Sequence, residues 1–344
     1  MSDLEKGKAG GGGEEKKVEK AVLWGLTWMQ AVCLGVLVAQ NSSNLLMMNT
    51  SRGPGRVQYA STTVVVVTEV VKVGLAFLLL LREHAWDTSA AASVLSKTLG
   101  DGRDWLRVSV PALVYLVQNN LLFVATSHLD AATTQITYQL KLLTTAVFAV
   151  VFLRKSLSLG AWISLAVLTA GVALVQLSLA RSPGGGSKPE THPDHAAVGS
   201  KVVGLSAILV ACFLSGFAAI YFEMILKGSS TSVWIRNIQL GTIGALFGLG
   251  GVYYNDGTLV ANKGFFYGYD PLVWAIVANS ALGGLVVALV VKYADNILKG
   301  FATGVSVVLC ALYSVLFLSV VPDVEFVCGA AAVLTSVMAY NANK

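Results

Sequence analysis

Residues 130–153 have the sequence DAATTQITYQLKLLTTAVFAVVFL, an apolar run that carries a single lysine near its middle. A helix needs about 20 predominantly apolar residues to cross a bilayer, and this run provides them. At 1.5 Å per residue, Lys141 lies about 17 Å along the helix from Asp130, near the bilayer midplane. An isolated charge at that depth costs at least ~2.5 kcal/mol. The side chain of Lys141 must therefore face a partner or a water-filled cavity.

The apolar character of this run continues along the whole chain. The 344 residues are 55% hydrophobic and only 12% charged, with a mean hydropathy of +0.69. Soluble domains average roughly 25% charged residues, and no compact core could hide so many apolar segments. We therefore predict an all-α polytopic membrane protein with ten transmembrane helices. The predicted spans are 21–46, 59–81, 107–128, 130–153, 160–180, 201–224, 234–254, 271–292, 297–320 and 324–341.

The longest polar break, residues 181–200, is rich in glycine, proline and serine and is interpreted as a flexible linker. It separates a five-helix half, 21–180, from a second five-helix half with a short tail, 201–344. An odd number of spans in each half gives the halves opposite topologies, as in transporters built from inverted repeats. Residues 1–20 mix glycine, lysine and glutamate without an apolar segment, so we expect a disordered tail there.

The distribution of basic residues predicts the orientation. With a cytosolic N-terminus, the cytosolic tails and loops carry 15 of the 24 lysines and arginines, the opposite side carries six, and three lie within spans. Positive charge is enriched in cytosolic loops. We therefore expect both termini in the cytosol and the linker 181–200 in the lumen. The net charge of +5, without an exposed basic stripe, predicts no nucleic-acid partner.

Two lysines within the predicted spans are candidate ligands for an anion. Polar residues, among them Tyr138 and Thr144, lie on or beside the helix face of Lys141; the alternative is a lysine that bonds backbone carbonyls of another helix. Lys299 shares a helix face with Thr303. The alternative for Lys299 is a side chain that snorkels to the cytosolic surface. The positive end of its helix would add to its charge if an anion sat close by.

Glu69 and Lys72 lie three residues apart within one predicted span and can pair on one helix face. The pair could act in gating, or it could be a self-neutralising pair that stabilises the bundle. Together with Lys141 and Lys299, these groups leave a formal charge of +2 in the spans. That charge matches the roughly −2 of a nucleoside-diphosphate sugar or of a nucleoside monophosphate.

Polar side chains also lie in the middle of the span 107–128, where YLVQNN runs from Tyr115 to Asn120. Amides in hydrocarbon need hydrogen-bond partners. Asn119 and its neighbours could bind the edge of a nucleobase or a neighbouring helix. Asn237 is a similar candidate nearer a membrane surface.

No catalytic or metal-binding motif is present. The sequence has no Walker or GxSxG motif, and its four histidines lie in loops or at span ends without paired ligand spacing. The sequence therefore predicts a carrier and not an enzyme, with no catalytic residue, metal or cofactor. The four cysteines lie in apolar runs, where buried thiols are expected rather than disulfides. They are Cys33, Cys212, Cys310 and Cys328.

Three long motifs resemble the Golgi nucleotide-sugar transporter family. They are QNNLLFVATSHLDAATTQITYQLKLLTTAVF at 118–148, GFAAIYFEMILKGSSTSVWIRNIQLG at 216–241 and KYADNILKGFATGVSVVL at 292–309. The resemblance extends over nearly all of residues 21–341. It implies the drug/metabolite transporter fold, with ten helices in two inverted five-helix repeats. It also implies exchange of a cytosolic nucleotide sugar for a lumenal nucleoside monophosphate across the Golgi membrane.

The resemblance also implies roles for single residues. The phosphate-binding lysines of the family match Lys141 and Lys299. Its cavity residues near the nucleotide match Tyr115, Asn119, Tyr138 and Asn237.

The same resemblance favours a UDP-sugar as the substrate. The CMP-sialic acid carriers of the family have bulkier or more polar side chains where this chain has Gly241 and Ala288, and the loop 251–269 is more similar to the UDP-sugar carriers. We expect exchange of UDP-galactose, UDP-N-acetylglucosamine or both for UMP, in contact with membrane lipid. The sequence leaves open whether the protein forms a homo-oligomer. It also leaves open three alternative functions: a CMP-sialic acid/CMP exchanger, another drug/metabolite-type organic-anion carrier and a non-transporting scaffold.

Overall fold

The structure is a computed structural model, and the residues that it describes are 21–23, 26–53, 55–181, 198–317 and 321–343. The predicted tail 1–20 and nearly all of the predicted linker 181–200 therefore lie outside the described residues. The chain first forms a short antiparallel pairing of β1 (Ala21–Leu23) with β2 (Leu26–Thr27). Almost everything that follows in the described ranges is helical.

Nine stretches of helix within the described ranges are long and apolar enough to cross a membrane. This confirms the predicted class, an all-α polytopic membrane protein. One of the nine, Thr133–Leu153, extends over two consecutive helices. The helices are α1 (Trp28–Ser51), α2 (Ser61–Glu83), α3 (Thr88–Leu99), α4 (Gly102–His128), α5 (Ala131–Tyr138), α6 (Lys141–Leu153), α7 (Leu159–Arg181), α8 (Val198–Lys227), α9 (Val233–Gly251), α10 (Gly257–Lys263), α11 (Pro271–Tyr293), α12 (Asn296–Phe317) and α13 (Val324–Ala342).

The helix α9 lies where the seventh span, 234–254, is predicted, but it is not among those nine stretches. Arg236, Asn237 and Gln239 lower its hydropathy, and all three are buried against other helices. The helix continues through a π-helical segment, Val252–Asp256. The count of ten spans therefore stays a prediction.

The predicted first span, 21–46, has the wrong boundaries, because α1 begins at Trp28 and ends at Ser51. Thr27 sets the start. Its hydroxyl accepts a hydrogen bond from the Gln30 N–H, while the Gln30 side chain accepts one from the Thr27 N–H. This reciprocal arrangement is a capping box, which ends the preceding extended segment and begins a helix.

Aspartates begin several of the other helices. The side chain of Asp130 accepts a hydrogen bond from the Thr133 N–H at 2.8 Å and so caps the start of α5. At the start of α13, hydrogen bonds from Ser178 and from the Phe326 N–H lower the pKa of the Asp323 carboxyl. Side chains of four further aspartates accept hydrogen bonds from N–H groups in the first turn of a helix: Asp87, Asp101, Asp270 and Asp295.

Helix packing joins the two halves of the chain. Helix α1 packs on α11 and α12, while α8 packs on α4 and α6. Helix α2 packs on α9, and α7 packs on α13. If the two halves are exchanged, the contacts of α1 with α11 and α12 become the contacts of α8 with α4 and α6. This is expected for two repeats related by a two-fold axis.

Glycines allow a close approach of helices where α7 crosses α13. A Cβ added to Gly171 would lie 2.9 Å from the Gly329 carbonyl oxygen, so only small residues allow this approach.

The largest apolar cluster extends between α7, α12 and α13. Its buried members include Leu168, Val172, Phe301 and Val333. A Cβ added to Gly304 of α12 would lie 2.8 Å from Leu168 Cδ1 and 3.2 Å from Val172 Cγ2. This packing holds α12 against α7 and thereby fixes the face of α12 that carries Lys299.

The prediction that all four cysteines are buried is wrong for one of them. Cys33, Cys212 and Cys310 are buried, but Cys328 is exposed on α13. All four are free thiols. An apolar sequence context does not distinguish a side chain in the bundle interior from one on its outer face.

Candidate functional site

A cavity of about 420 Å³ lies between α4, α5, α6, α7, α8 and α12, so helices of both halves form its wall. It brings together five of the seven predicted substrate-binding residues. They are Tyr115, Tyr138, Lys141, Lys299 and Thr303.

Lys141 is the first residue of α6, directly after a break in the predicted span. The predicted span 130–153 corresponds to the membrane-spanning stretch Thr133–Leu153, but its helix is interrupted, because α5 ends at Tyr138 and α6 begins three residues later. At the break, the N–H groups of Gln139 and Leu140 donate to carbonyls three residues back, both at 3.1 Å. Such 3₁₀-type turns inside a helix often mark a functional position.

Helix α8 stabilises this break. The Cys212 thiol lies 3.6 Å from the Thr137 carbonyl oxygen and 3.7 Å from that of Tyr138, and the Thr144 hydroxyl donates to the Cys212 carbonyl at 2.8 Å. A Cβ added to Gly216 would lie 2.7 Å from Thr144 Oγ1, so α8 approaches the start of α6 closely. Backbone groups freed inside a membrane need partners, and α8 provides them.

Two ammonium groups face the cavity without an acidic partner. Among the described residues, no carboxylate oxygen lies within 4.0 Å of the Nζ atom of Lys141 or of Lys299. The Nζ atom of Lys141 lies 4.0 Å from the ring centroid of Tyr138, a cation–π contact. Because Lys141 and Lys299 come from different halves, the site can bind an anion between the halves.

Two carboxylates bond N–H groups at the start of α12, the helix that carries Lys299. The Asn296 N–H donates to Glu223 Oε2 at 3.0 Å, and the Leu298 N–H donates to Asp295 Oδ1 at 2.7 Å. The contribution of this helix end to anion binding stays a prediction. Lys299 itself lines the cavity and is only partly exposed.

Two predicted substrate-binding residues do not line the cavity. Asn119 is exposed and accepts a hydrogen bond from Gln118 Nε2 at 3.4 Å. Asn237 is 4% exposed in α9 and donates to the Val233 carbonyl of its own helix at 2.9 Å. Their roles in binding stay predictions that would require a different arrangement of the helices.

Glu69 and Lys72 form an ion pair on α2, as their spacing predicts. The pair packs against glycines of α9 and α11. A Cβ added to Gly244 would lie 3.1 Å from the Glu69 carboxylate carbon, and one added to Gly284 would lie 2.7 Å from Lys72 Cδ. Neither charged residue lines the cavity described above. Whether the pair gates transport or stabilises the bundle stays a prediction.

Sequence analysis missed a buried ionic cluster beside the cavity, named here the Glu223 cluster. Glu223 is 0% exposed, and its Oε1 atom lies 3.1 Å from Lys155 Nζ and 2.8 Å from Lys227 Nζ. Lys155 also lies 3.0 Å from Asp295 Oδ2. With Asn296, these residues connect the end of α6 in the first half to α8 and α12 in the second. The available signal was a single carboxylate in the apolar span 201–224, which is costly without partners.

A second buried ion pair joins the halves at the same end of the bundle. Arg236 of α9 lies 2.6 Å from Asp104 of α4, and Gln239 Nε2 donates to the same carboxylate at 2.8 Å. At the opposite end, the ion pair of Arg56 with Asp270 is much more exposed, with side chains 39% and 40% accessible. The end that carries the Glu223 cluster is therefore the more tightly closed one.

Of the amides in the cavity wall, Gln118 belongs to the YLVQNN run that the sequence offers as a nucleobase contact, whereas Gln139 and Gln176 were missed as site residues. Gln118 Nε2 donates to the Tyr138 hydroxyl at 2.7 Å, and Gln139 Nε2 donates to Gln176 Oε1 at 3.0 Å. Gln176 is the one amide in its predicted span, 160–180, and an isolated amide of that kind is a signal of a polar interior.

A second cavity, of about 830 Å³, opens at the end opposite the Glu223 cluster. It contains none of the predicted site residues. Two of its polar groups bond within the wall: the Thr62 hydroxyl donates to Asp256 at 2.5 Å, and Lys263 Nζ donates to the Tyr267 hydroxyl at 3.4 Å. We therefore place the functional site in the smaller cavity.

The fold and the site together define a polytopic helical membrane protein with a cationic cavity between its halves. Comparison with known proteins identifies the class further. The family model described as nucleotide-sugar transporter matches residues 26–341. The chain belongs to the nucleotide-sugar transporter family, and as such it is a carrier rather than an enzyme.

Individual relatives agree with this family. The chain is 47% identical over 319 residues to the human UDP-N-acetylglucosamine transporter, covering 91% of this chain and 95% of the relative. It is 46% identical over 315 residues to the human UDP-galactose translocator, and the alignment covers 91% of this chain and 77% of the relative. A crystal structure of another protein, only 12% identical, shares the fold with a TM-score of 0.64 over 90% of this chain and 96% of that one.

The Glu223 cluster predicts a large stability effect. Replacing Glu223 with Gln leaves two lysines around a neutral side chain, and breaking a buried ion pair from one side costs about 3–5 kcal/mol. We expect the purified protein in detergent to lose roughly 5–10 °C in Tm. The matched control is Asp270→Asn in the exposed pair with Arg56, which should cost about 0–1 kcal/mol. Equal Tm values for the two variants would contradict a structural role of the cluster.

Proposed function

We propose that the protein exchanges a UDP-sugar, UDP-galactose or UDP-N-acetylglucosamine or both, for UMP across the Golgi membrane. The observation that carries this proposal is the pair of ammonium groups, Lys141 and Lys299, that face one cavity and have no carboxylate partner among the described residues. The names of the relatives, UDP-N-acetylglucosamine transporter and UDP-galactose translocator, support UDP as the nucleotide.

The chemistry of the cavity suits a phosphorylated nucleoside. Two ammonium groups balance the roughly −2 charge of a pyrophosphate diester or of a nucleoside monophosphate. Charge-assisted hydrogen bonds from lysine to phosphate oxygens are stronger than neutral ones. The tyrosine rings of Tyr115 and Tyr138 offer aromatic faces for a base. The Thr303 hydroxyl donates to the Lys299 carbonyl at 3.0 Å, so its oxygen can accept a hydrogen bond from a ligand.

The environment of Gly241 favours a UDP-sugar over CMP-sialic acid. A Cβ added to this glycine would lie 3.4 Å from Lys72 Cε and 2.6 Å from Val73 Cγ2. A bulkier residue there would therefore displace the ion pair of Lys72 with Glu69. Ala288, the other position that distinguishes the two kinds of carrier, is 2% exposed, so a larger side chain would also force repacking.

We expect exchange of two nucleotides rather than one-way transport, because the empty cavity is positively charged. Without an anion, two ammonium groups repel each other in a poorly solvated space, so reorientation of the empty carrier is slow. A bound nucleotide of either kind neutralises them and permits reorientation. During this reorientation, the buried contacts of the Glu223 cluster must open on one side of the membrane.

Transport itself provides the first test. In proteoliposomes preloaded with UMP, uptake of UDP-galactose or UDP-N-acetylglucosamine should exceed uptake of CMP-sialic acid and GDP-mannose, and it should greatly exceed uptake into empty proteoliposomes. Equal uptake into loaded and empty proteoliposomes would exclude exchange. A panel in which no nucleotide sugar is transported would favour the non-transporting scaffold.

Neutralising one lysine provides the second test. Charged hydrogen bonds are worth roughly 1.5–3 kcal/mol, so Lys141→Gln should weaken UMP binding by about tenfold to a hundredfold. Uridine, which lacks the phosphate, should be affected hardly at all. The matched control is Lys292→Gln, which removes the same charge outside the cavity and should leave UMP binding unchanged. If Lys141→Gln weakens UMP and uridine equally, Lys141 has only a scaffold role.

We further propose that both termini are cytosolic, so that the end with the Glu223 cluster faces the cytosol. The support is the excess of basic residues on that side, 15 against six. In intact Golgi vesicles, protease should remove a tag at either terminus, while a tag inserted within 183–195 should be protected. Cleavage of the central tag in intact vesicles would reverse the orientation.

A further inference from the structure

Three exposed basic side chains at the Glu223 end of the bundle form a surface named here the basic corner. They are Lys97 of α3 and Arg103 and Arg107 of α4. Among the described residues, no carboxylate oxygen lies within 4.0 Å of their charged nitrogen atoms. The half-buried Lys155 at the same end of the bundle is, by contrast, paired with two carboxylates. The basic corner therefore presents positive charge that the protein itself does not pair.

The carboxylates nearest to the basic corner in the sequence are bonded within the protein. Asp101 accepts hydrogen bonds from the N–H groups of Arg103 and Asp104, at 3.0 and 3.4 Å, and so caps α4. Asp104 lies 2.6 Å from Arg236 and accepts a hydrogen bond from Gln239 at 2.8 Å. These internal bonds leave the three cations to an anion from outside the chain.

The positions of the two arginines along α4 strengthen the need for an anion. Helix α4 begins at Gly102, so Arg103 and Arg107 lie in its first two turns. The start of a helix carries a partial positive charge, which favours anions there and disfavours cations. Lys97 lies in the last turn of α3, where the opposite partial charge stabilises a cation. The helix ends therefore account for Lys97 but not for the arginines.

The surface of α4 that continues from the basic corner is apolar. Leu106 is 70% exposed, and it lies one turn after Arg103 along the helix. Further along the same face, Leu113 is 45% exposed and Val117 is 52% exposed. Helix α4 is long and apolar enough to cross a membrane, so lipid chains cover this face in a bilayer. The arginines therefore lie where hydrocarbon gives way to headgroups.

The turn between α2 and α3 carries an exposed aromatic ring at the same end of the bundle. Ala85 and Trp86 adopt left-handed backbone conformations, with φ of 52° and 65°, which residues other than glycine rarely adopt. The Trp86 side chain is 63% exposed, so its contacts with the protein contribute little to holding this strained turn. Tryptophan is stabilised among lipid headgroups. A bilayer whose headgroups reach this turn would therefore stabilise it.

We propose that the basic corner binds the headgroup of an anionic phospholipid, whose acyl chains lie along Leu106 and Leu113. Arginine donates two parallel hydrogen bonds to phosphate oxygens, and lysine adds a point charge. A lipid is the anion that satisfies both the cations and the apolar surface beside them, whereas an acidic protein would match only the charge. By the proposed orientation this is the cytosolic leaflet, where anionic lipids attract basic residues. The inference goes beyond the proposed function, since the basic corner lies outside the cavity.

The first experiment needs no variant. The Tm of the purified carrier in a neutral detergent is measured with added phosphatidylserine, with phosphatidylcholine of the same acyl chains, and with glycerophosphoserine, which has the headgroup without the chains. A ligand that binds the folded state raises its Tm, so phosphatidylserine should raise it by about 3–6 °C more than phosphatidylcholine. Glycerophosphoserine should have little effect, because it cannot cover the apolar face.

The second experiment locates the site. The double variant Lys97→Gln with Arg103→Gln removes two charges from the basic corner, and Arg107 is kept because its charge acts on nearby Asp104. In this variant phosphatidylserine should raise the Tm no more than phosphatidylcholine does. The matched control is Arg154→Gln with Lys292→Gln, which removes the same charge at the same end of the bundle. The control should keep the extra rise with phosphatidylserine.

Each result decides for or against the basic corner. Equal Tm values of wild-type protein with the two lipids would overturn the inference, and so would an equal rise with glycerophosphoserine, which would indicate a site for a free anion. Equal losses in both double variants would mean diffuse attraction and no site at the basic corner. UMP binding, measured in the same samples, should be unchanged in both variants; its absence in wild-type protein would contradict the proposed function alone. Should a variant not fold, the wild-type series decides.

Discussion

Two unpaired ammonium groups in the interior of a membrane protein are the constraint around which the rest of this structure is arranged. Each costs at least ~2.5 kcal/mol in hydrocarbon unless it meets water or a partner. The described residues provide no carboxylate for Lys141 or Lys299, so a cavity is needed to solvate them. A cavity that concentrates positive charge and excludes acidic side chains is suited to a phosphate and would disfavour a cation.

Helix α8 connects the supports of both lysines. Near its middle, Cys212 and Gly216 contact the break before Lys141. About three turns further along, Glu223 receives the first N–H of α12, the helix that carries Lys299. One rigid helix therefore positions two cationic helices that belong to different halves. A shift of α8 would alter both ends of the site together, which gives a physical route from helix movement to ligand release.

The two ends of the bundle differ in the nature of their ionic contacts. At one end, carboxylates of Glu223 and Asp104 are surrounded by donors and buried between helices of both halves. At the other end, the pair of Arg56 and Asp270 is exposed, and exposed pairs contribute little to stability. Alternating access requires one end to close while the other opens, and the buried ionic contacts between the halves are the ones that would have to break at the Glu223 end.

The sequence by itself determined the class, most of the spans and the cationic character of the site. Lipid requires runs of about 20 apolar residues, and a charge within such a run is conspicuous because of its cost. The pairing of Glu69 with Lys72 was also predictable, since three residues along one helix bring side chains together. Tertiary structure alone decided the break before Lys141 and the partners of Glu223. It also placed Asn237 outside the cavity. These features depend on neighbours from other helices, and helical periodicity within one segment carries no information about which helix lies beside it.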